Sequence, residues 1–280
     1  MIQVNKPGFY SSVQDLGRFG YRDKGVPISG VMDSISAKFA NKLLGNDEND
    51  AVLEITMTGP ELVFSRATVI AISGAIISPK INGAEIYNDE VYEIQPGDIL
   101  SFGELKTGFR CYLAVQGGFN TETILGSKSW YISLTTYSHL LQGKKIEVDE
   151  SSKQDIKDDL PGMNHNFDSK KLEVYKGPEF HLLTEEQEQQ VLNGIFNIAK
   201  ENSRMAYQLK QQLYPHNYSI LTSATTPGTV QFTPAGKLII LMKDAQTTGG
   251  YPRVLQLTDN AIALLAQKRT GEEVIFSLKE

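Results

Sequence analysis

Short β-rich runs fenced by turn residues recur along this chain, and that rhythm favours a β barrel or sandwich over a parallel sheet with helical crossovers. The runs at 67–72, 90–94, 99–102 and 109–115 are rich in Val, Ile, Tyr and Phe. Between them stand Ile81-Asn82-Gly83-Ala84 and Gln95-Pro96-Gly97-Asp98, both strong turn signals. Helical patterns are few. Asp33 is placed to cap a segment presenting Phe39, Ala40, Leu43 and Leu44 on one face, with Gly45-Asn46 as its stop. Thr184-Glu185-Glu186-Gln187 reads as a capping box ahead of an amphipathic helix carrying Val191, Leu192, Ile195, Phe196 and Ala199. A third helix starts near Thr258 and presents Ile262, Leu265 and Ala266.

The 280 residues suffice for two domains of ordinary size. Apolar content falls between Asp149 and Ser169, where Ser151-Ser152-Lys153-Gln154-Asp155 and Pro161-Gly162-Met163-Asn164 lie. The expected division is therefore 1–150, a linker at 151–169, and 170–280, with the N-terminal segment free to pack across both. Thr58-Gly59-Pro60-Glu61-Leu62 and Lys176-Gly177-Pro178-Glu179-Phe180 form a faint repeat, one in each half.

With 27 basic and 33 acidic residues the net charge is -6, which argues against a general binder of nucleic acid or anionic membrane. The single cysteine, Cys111, lies in an apolar run, so no internal disulfide forms and a reducing compartment is favoured. Met1 to Pro7 has no signal-peptide pattern, and runs such as 238–242 fall far short of the about 20 residues needed to cross a bilayer. These features predict a soluble, cytoplasmic protein. The four histidines are scattered, which leaves no dedicated zinc site, and there is no P-loop and no Gly-x-Ser-x-Gly elbow.

Candidate chemistry concentrates in two loops. Gly17, Gly20, Gly25 and Gly30 punctuate the stretch from Val13 to Asp33 and let polar side chains converge on a ligand. Within it, Gln14, Asp15 and Arg18 set an amide, an acid and a guanidinium side by side. Arg18 either holds a carboxylate or phosphate bidentately, with Asp15 as its orienter, or the two form a brace for the loop. Ser29 and Gly30 precede a helix N-terminus, which favours an anion, although Asp33 competes for that positive end as a cap. Tyr21 is either a platform for ligand or a core aromatic. Near the C-terminus, Gln246, Thr247, Thr248, Gly249, Gly250 and Tyr251 follow the apolar run 238–242, a common place for binding groups. Thr225-Thr226-Pro227-Gly228-Thr229-Val230-Gln231 is a weaker candidate of the same kind, since Pro-Gly alone explains a turn.

Pro7-Gly8, Gln14-Asp15-Leu16-Gly17-Arg18, Gly25-Val26-Pro27, Ser29-Gly30, Met32-Asp33, Gly59-Pro60-Glu61-Leu62, Leu125-Gly126-Ser127, Pro227-Gly228-Thr229-Val230-Gln231 and Gln246-Thr247-Thr248-Gly249-Gly250-Tyr251-Pro252 together resemble the KipA family, also called the 5-oxoprolinase C-subunit family. That family is further known as allophanate hydrolase subunit 2 and is similar to part of the carboxyltransferase domain of urea carboxylase. The resemblance implies a mainly β fold with a few helices, arranged as two cyclophilin-like β-barrel units. It implies a KipI-like partner, the B component of 5-oxoprolinase, and a LamB/YcsF-like partner, the A component. Such an assembly opens the lactam of 5-oxoproline to glutamate with ATP, accompanied by Mg, and no biotin is attached to this chain. In that frame Arg18 offsets anionic charge, Ser29, Gln246 and Thr248 orient the substrate, and Asp15 holds Arg18 or polarises the lactam N–H. The loops near the two chain ends are then expected to line one cleft. Two alternatives follow from the same resemblance: a regulator that antagonises a KipI-type inhibitor of a histidine kinase, and a carboxyl-transfer component acting on a urea-like acceptor. Two stretches depart from the family: Ser203-Arg204-Met205-Ala206-Tyr207-Gln208-Leu209, and Trp130 to Tyr137, where relatives carry a glycine-rich run.

Overall fold

The computed structural model describes residues 1–149, 156–157, 160–163 and 166–279. Parts of the expected linker, at 151–155, 158–159 and 164–165, lie outside the described residues. The chain divides into two compact units: Met1–Arg18 with Ser29–Phe167, and Phe19–Ile28 with Asp168–Glu280. The N-terminal part thus contributes one segment, Phe19–Ile28, to the second unit.

The first unit contains β1 (Ile2–Lys6), β2 (Tyr10–Gln14), helix α1 (Ser34–Leu43), β3 (Val52–Thr56), β4 (Glu61–Phe64), β5 (Thr68–Ile76), β6 (Pro79–Ile81), β7 (Ala84–Glu85), β8 (Val91–Ile94), β9 (Ile99–Phe102), β10 (Thr107–Val115), β11 (Phe119–Asn120) and β12 (Lys145–Val148). A seven-stranded sheet runs β11-β12-β1-β4-β9-β6-β7, and a five-stranded sheet runs β2-β3-β10-β5-β8. Alternation of side chains along the five-stranded sheet separates two cores. Leu53, Ile55, Ile70, Ile72, Cys111, Leu113 and Val115 join Ile2, Val4, Leu62 and Leu100 of the other sheet. Val52, Ala71, Tyr112 and Ala114 face the opposite way and pack with Ala37, Ala40 and Leu43 of α1. Burial raises the Cys111 thiol far above its ordinary value, as expected for a strand residue and not for a nucleophile.

The second unit contains β13 (Lys171–Lys176), α2 (Glu185–Asn193), β14 (Phe196–Asn202), β15 (Ala206–Gln212), β16 (Ser223–Ala224), β17 (Thr229–Phe232), β18 (Lys237–Leu241), β19 (Thr248–Gly249), β20 (Arg253–Leu257), α3 (Asp259–Ala266) and β21 (Glu273–Leu278). Seven strands close a barrel in the order β13-β20-β17-β18-β15-β14-β21, while β16 and β19 form a separate two-stranded ribbon. The mainly β architecture expected from the strand-and-turn rhythm is therefore the one adopted.

Local signals explain the element boundaries. Asp33 caps α1 by accepting from the Ile35 and Ser36 amides, and both halves of the Thr184/Gln187 capping box form. Thr258 caps α3 through the Ala261 amide. Asn82 and Gly83 both adopt positive φ, 51° and 85°, in the tight turn joining β6 to β7. One helix is shorter than its periodicity predicts. Instead of continuing through Ile195, Phe196 and Ala199, α2 stops at Asn193, and Phe196 and Ile198 become buried strand residues of the barrel. The physical reason is Gly194, whose extended backbone leaves the helix where a Cβ would meet the Gln190 carbonyl oxygen at 2.2 Å. The faint repeat also occupies unlike settings, since Glu61 opens β4 whereas Glu179 lies outside a strand and clamps Arg253.

Candidate functional site

Gln14, Asp15, Arg18, Ser29 and Gly30 belong to the first unit, and Tyr21 with Gln246 to Tyr251 to the second. In the first unit the loop after β2 is tied down by Asp15. Its Oδ1 accepts from the Gly17 amide at 2.8 Å and the Ser127 and Ser129 hydroxyls at 2.7 and 2.6 Å, and its Oδ2 from the Lys128 amide at 2.6 Å. Arg18, 1% exposed, donates through Nε to the Ile124 carbonyl at 3.2 Å and through a terminal nitrogen to the Ser129 carbonyl. Both side chains thus grip the segment 124–129. Gln14 donates to the Ser12 hydroxyl and the Trp130 carbonyl, each at 3.0 Å.

The loop carrying Ser29 packs on the same structure. Gly30 has φ 81°, and a Cβ there would stand 2.7 Å from the Leu16 carbonyl carbon, so only glycine fits the approach. Val31 donates to the Asp15 carbonyl at 2.9 Å. Ser29 itself is fully buried with φ 57°, an uncommon conformation for a residue with a side chain. Its hydroxyl has no hydrogen-bond partner among the described residues.

Beneath this loop lies a buried polar row. Ser12, Glu54, Tyr112 and Ser73 are cross-strand neighbours on β2, β3, β10 and β5, and all four are fully buried. Glu54 Oε2 accepts from the Met32 amide at 2.7 Å and the Tyr112 hydroxyl at 3.0 Å, and the same hydroxyl accepts from the Asp33 amide at 2.8 Å. Arg110 Nε stands 3.7 Å from Glu54 Oε1. Burial, reinforced by the Glu54 and Asp33 carboxylates, pushes the Tyr112 hydroxyl well above its ordinary value, so it remains a donor. Two amides of the Ser29–Asp33 loop therefore hang from the sheet, which fixes the strained backbone at Ser29. The one signal in the sequence is a lone acid, Glu54, inside the apolar strand Val52–Thr56.

In the second unit the loop after β18 folds back as the β16–β19 ribbon. Thr225 ties it by donating through N–H to the Thr247 carbonyl at 3.0 Å and through its hydroxyl to the Gln246 carbonyl at 2.7 Å. Gln246 donates to Gln231 Oε1 at 3.4 Å. Gln231 sits where the pairing of β17 with β20 shifts register, a bulge that re-aims a side chain. Its Nε2 is buried without a hydrogen-bond partner among the described residues, and a Cβ at Gly249 would stand 2.3 Å from it. Glycine at 249 is thus what lets the amide lie under the ribbon. Thr247 is buried, while Gln246, Thr248, Gly250 and Tyr251 are exposed. Tyr21 lies at the start of a single 3-10 turn, with the Lys24 ammonium 5.4 Å from its ring centroid. Close by in sequence to the ribbon, Arg253 clamps Glu179 through Nε and a terminal nitrogen, both at 2.8 Å, which holds the Glu179 carboxyl below its ordinary value. In the segment 203–209, Arg204 is buried and pairs with Asp244 at 2.8 Å. Among the described residues no group of three or more His, Cys, Asp or Glu side chains converges to hold a metal ion, and no helix is long and apolar enough to cross a membrane.

Two β units, the second built on a closed seven-stranded barrel, define a mainly β protein. Residues 24–278 match the family described as carboxyltransferase domain, subdomain A and B, and the chain belongs to that family. It is similar to the C subunit of 5-oxoprolinase from Escherichia coli (strain K12), with 28% identity over 282 aligned positions that cover 99% of this chain and 90% of that protein. Urea amidolyase of Saccharomyces cerevisiae is 42% identical over 131 residues, covering 46% of this chain and 7% of the relative. Among solved structures, TTHA0988 superposes with a TM-score of 0.88 at 27% identity, over 99% of this chain and 55% of that one. The Kluyveromyces lactis urea amidolyase gives a TM-score of 0.88 at 29% identity, over 98% of this chain and 18% of that one. The chain therefore spans about half of TTHA0988 and under a fifth of the amidolyase.

Proposed function

We propose that the chain is the C subunit of an ATP-dependent 5-oxoprolinase, acting in the cytoplasm with a KipI-like B component and a LamB/YcsF-like A component. The observation that carries this reading is likeness along 99% of the chain, and 90% of the relative, to the E. coli protein of that name. A Haemophilus influenzae protein of the same name matches over the same shares at 28% identity. An amide is a poor electrophile, so ATP, with Mg, phosphorylates the lactam oxygen. Water then adds at the ring carbon, the C–N bond breaks to give glutamyl phosphate, and a second water releases phosphate. The protein's task is to orient anionic reactants and exclude stray water.

The candidate groups suit that task within each unit. In the first, the Ser29 hydroxyl donates to a reactant oxygen and Arg18 offsets nearby anionic charge, with Asp15 and Gln14 holding the loop and Gly30 permitting close approach. In the second, Gln231, Gln246 and Thr248 donate to carbonyl or carboxylate oxygens, and Tyr21, Thr247, Gly249, Gly250 and Tyr251 shape the surface around them. The test is release of glutamate from 5-oxoproline by the purified three-protein mixture. Release that needs ATP and this chain supports the reading, and none under those conditions overturns it.

A second reading, carboxyl transfer to a urea-like acceptor with biotin supplied by another chain, draws on the 42% identity to yeast urea amidolyase. It requires biotin-dependent carboxylation of urea when a carboxylated carrier is added, and fails without it.

A further inference from the structure

The departing stretch Trp130 to Tyr137 helps line a cavity of about 270 Å³ in the first unit. Trp130 and Tyr137 meet there with ring centroids 5.8 Å apart. The Lys144 ammonium stands 3.4 Å from the Tyr137 centroid and 6.0 Å from that of Trp130. Aromatic faces attract the cation but do not neutralise it. Among the described residues no carboxylate lies within 4.0 Å of the Lys144 ammonium. Glu122 and Glu147 line the same cavity and are likewise without an ion pair among the described residues.

A concave site with both signs of charge, neither cancelled by the other, selects its ligand by charge pattern. Lys145 also lines the cavity, so two ammonium groups stand against the Glu122 and Glu147 carboxylates, and a ligand that carries both signs gains more than a simple anion or a simple cation. The volume lies near the lower end for small-molecule sites, about 300 Å³, which leaves room for a molecule smaller than a nucleotide. We propose that this cavity binds a free α-amino acid with an apolar side chain. Its carboxylate pairs with Lys144, its ammonium with Glu122 and Glu147, and its side chain covers the edge of Trp130. The site is independent of the lactam-opening reading, because it shares none of the residues assigned to that reaction.

Trp130 is the only tryptophan of the chain, so its emission reports occupancy directly. Titrating the full chain with L-leucine is expected to give a saturable change in that emission. Acetate and isopentylamine, each carrying one of the two charges, are expected to give none. Lys144→Met raises the half-saturating concentration by about tenfold or more, the loss of one charge-assisted contact. The double variant Glu122→Gln/Glu147→Gln does the same, and because both side chains are exposed it tests the site without disturbing the core. An unchanged half-saturation in both variants, an equal response to acetate alone, or no saturable response to L-leucine overturns the proposal.

Discussion

Asp15 in the first unit is 4% exposed and Gln231 in the second is 2% exposed, yet they treat their polar atoms in opposite ways. The Asp15 carboxylate accepts four hydrogen bonds, three of them from residues 127–129, far away in sequence. The Gln231 amide nitrogen donates to no group among the described residues, and the backbone above it is kept clear by Gly249. A fully satisfied buried carboxylate stabilises, since each donor it meets would otherwise cost about 1–3 kcal/mol when stranded. An unsatisfied buried donor carries that cost with nothing to offset it, which makes the Gln231 amide a candidate position for a hydrogen-bonding ligand or an ordered water. The comparison separates a fully satisfied brace in the first unit from an unpartnered buried donor in the second.

Removing the brace is expected to have the largest effect. Asp15→Ala strands two amides and two hydroxyls and should lower unfolding free energy by about 3–5 kcal/mol in a urea titration. A loss under about 1 kcal/mol would mean that Asp15 braces nothing. Next comes Gly249→Ala, where the added methyl meets the Gln231 amide; about 1–3 kcal/mol of destabilisation is expected if the amide is locked in place. A neutral result would show the amide swinging aside.

Smaller still is a pH effect in the second unit. Arg253 holds Glu179 below its reference value of 4.5 through hydrogen bonds from its side chain and backbone. Because the folded value is the lower one, this pair stabilises fully above that reference and is lost as pH falls through the depressed folded value. Glu179→Gln should therefore reduce stability by about 1 kcal/mol at neutral pH and flatten the acid side of the stability profile. Equal acid limbs in wild type and variant would refute the pairing. The least stability change is expected for Gln231→Leu, within about 1 kcal/mol of wild type and in either direction, since it deletes an unsatisfied donor. In the proposed three-protein assembly the same variant should lower kcat/KM for 5-oxoproline about tenfold, and unchanged kinetics would remove Gln231 from the candidate site.

The parts of the fold that read cleanly from sequence are those set by neighbours along the chain. Asp33, Thr184 and Thr258 cap helices because the amides they satisfy lie within three residues. Asn82-Gly83 turns because both residues tolerate positive φ. The end of α2 escapes such reading for the complementary reason. Its apolar spacing continues past Gly194, but Phe196 and Ile198 gain more by pairing with β15 and β21 than by extending the helix. At the candidate site, glycine-rich loops point to Ser29 and to Gly249. Tyr112 stays hidden, and Gln231 figures only within a weak turn candidate, because a buried polar residue in a strand looks like an ordinary interruption of an apolar run.

By itself the sequence determined a mainly β chain with three capped helices, its turns, its buried cysteine and the family to which its motifs belong. These follow from short-range sterics, side-chain periodicity and local capping. Tertiary structure decided which polar groups are satisfied. Asp15 meets Ser127 across 112 positions, and Tyr112 meets Glu54 across 58. Whether a buried donor finds an acceptor depends on strand register between distant segments, and no local pattern encodes that.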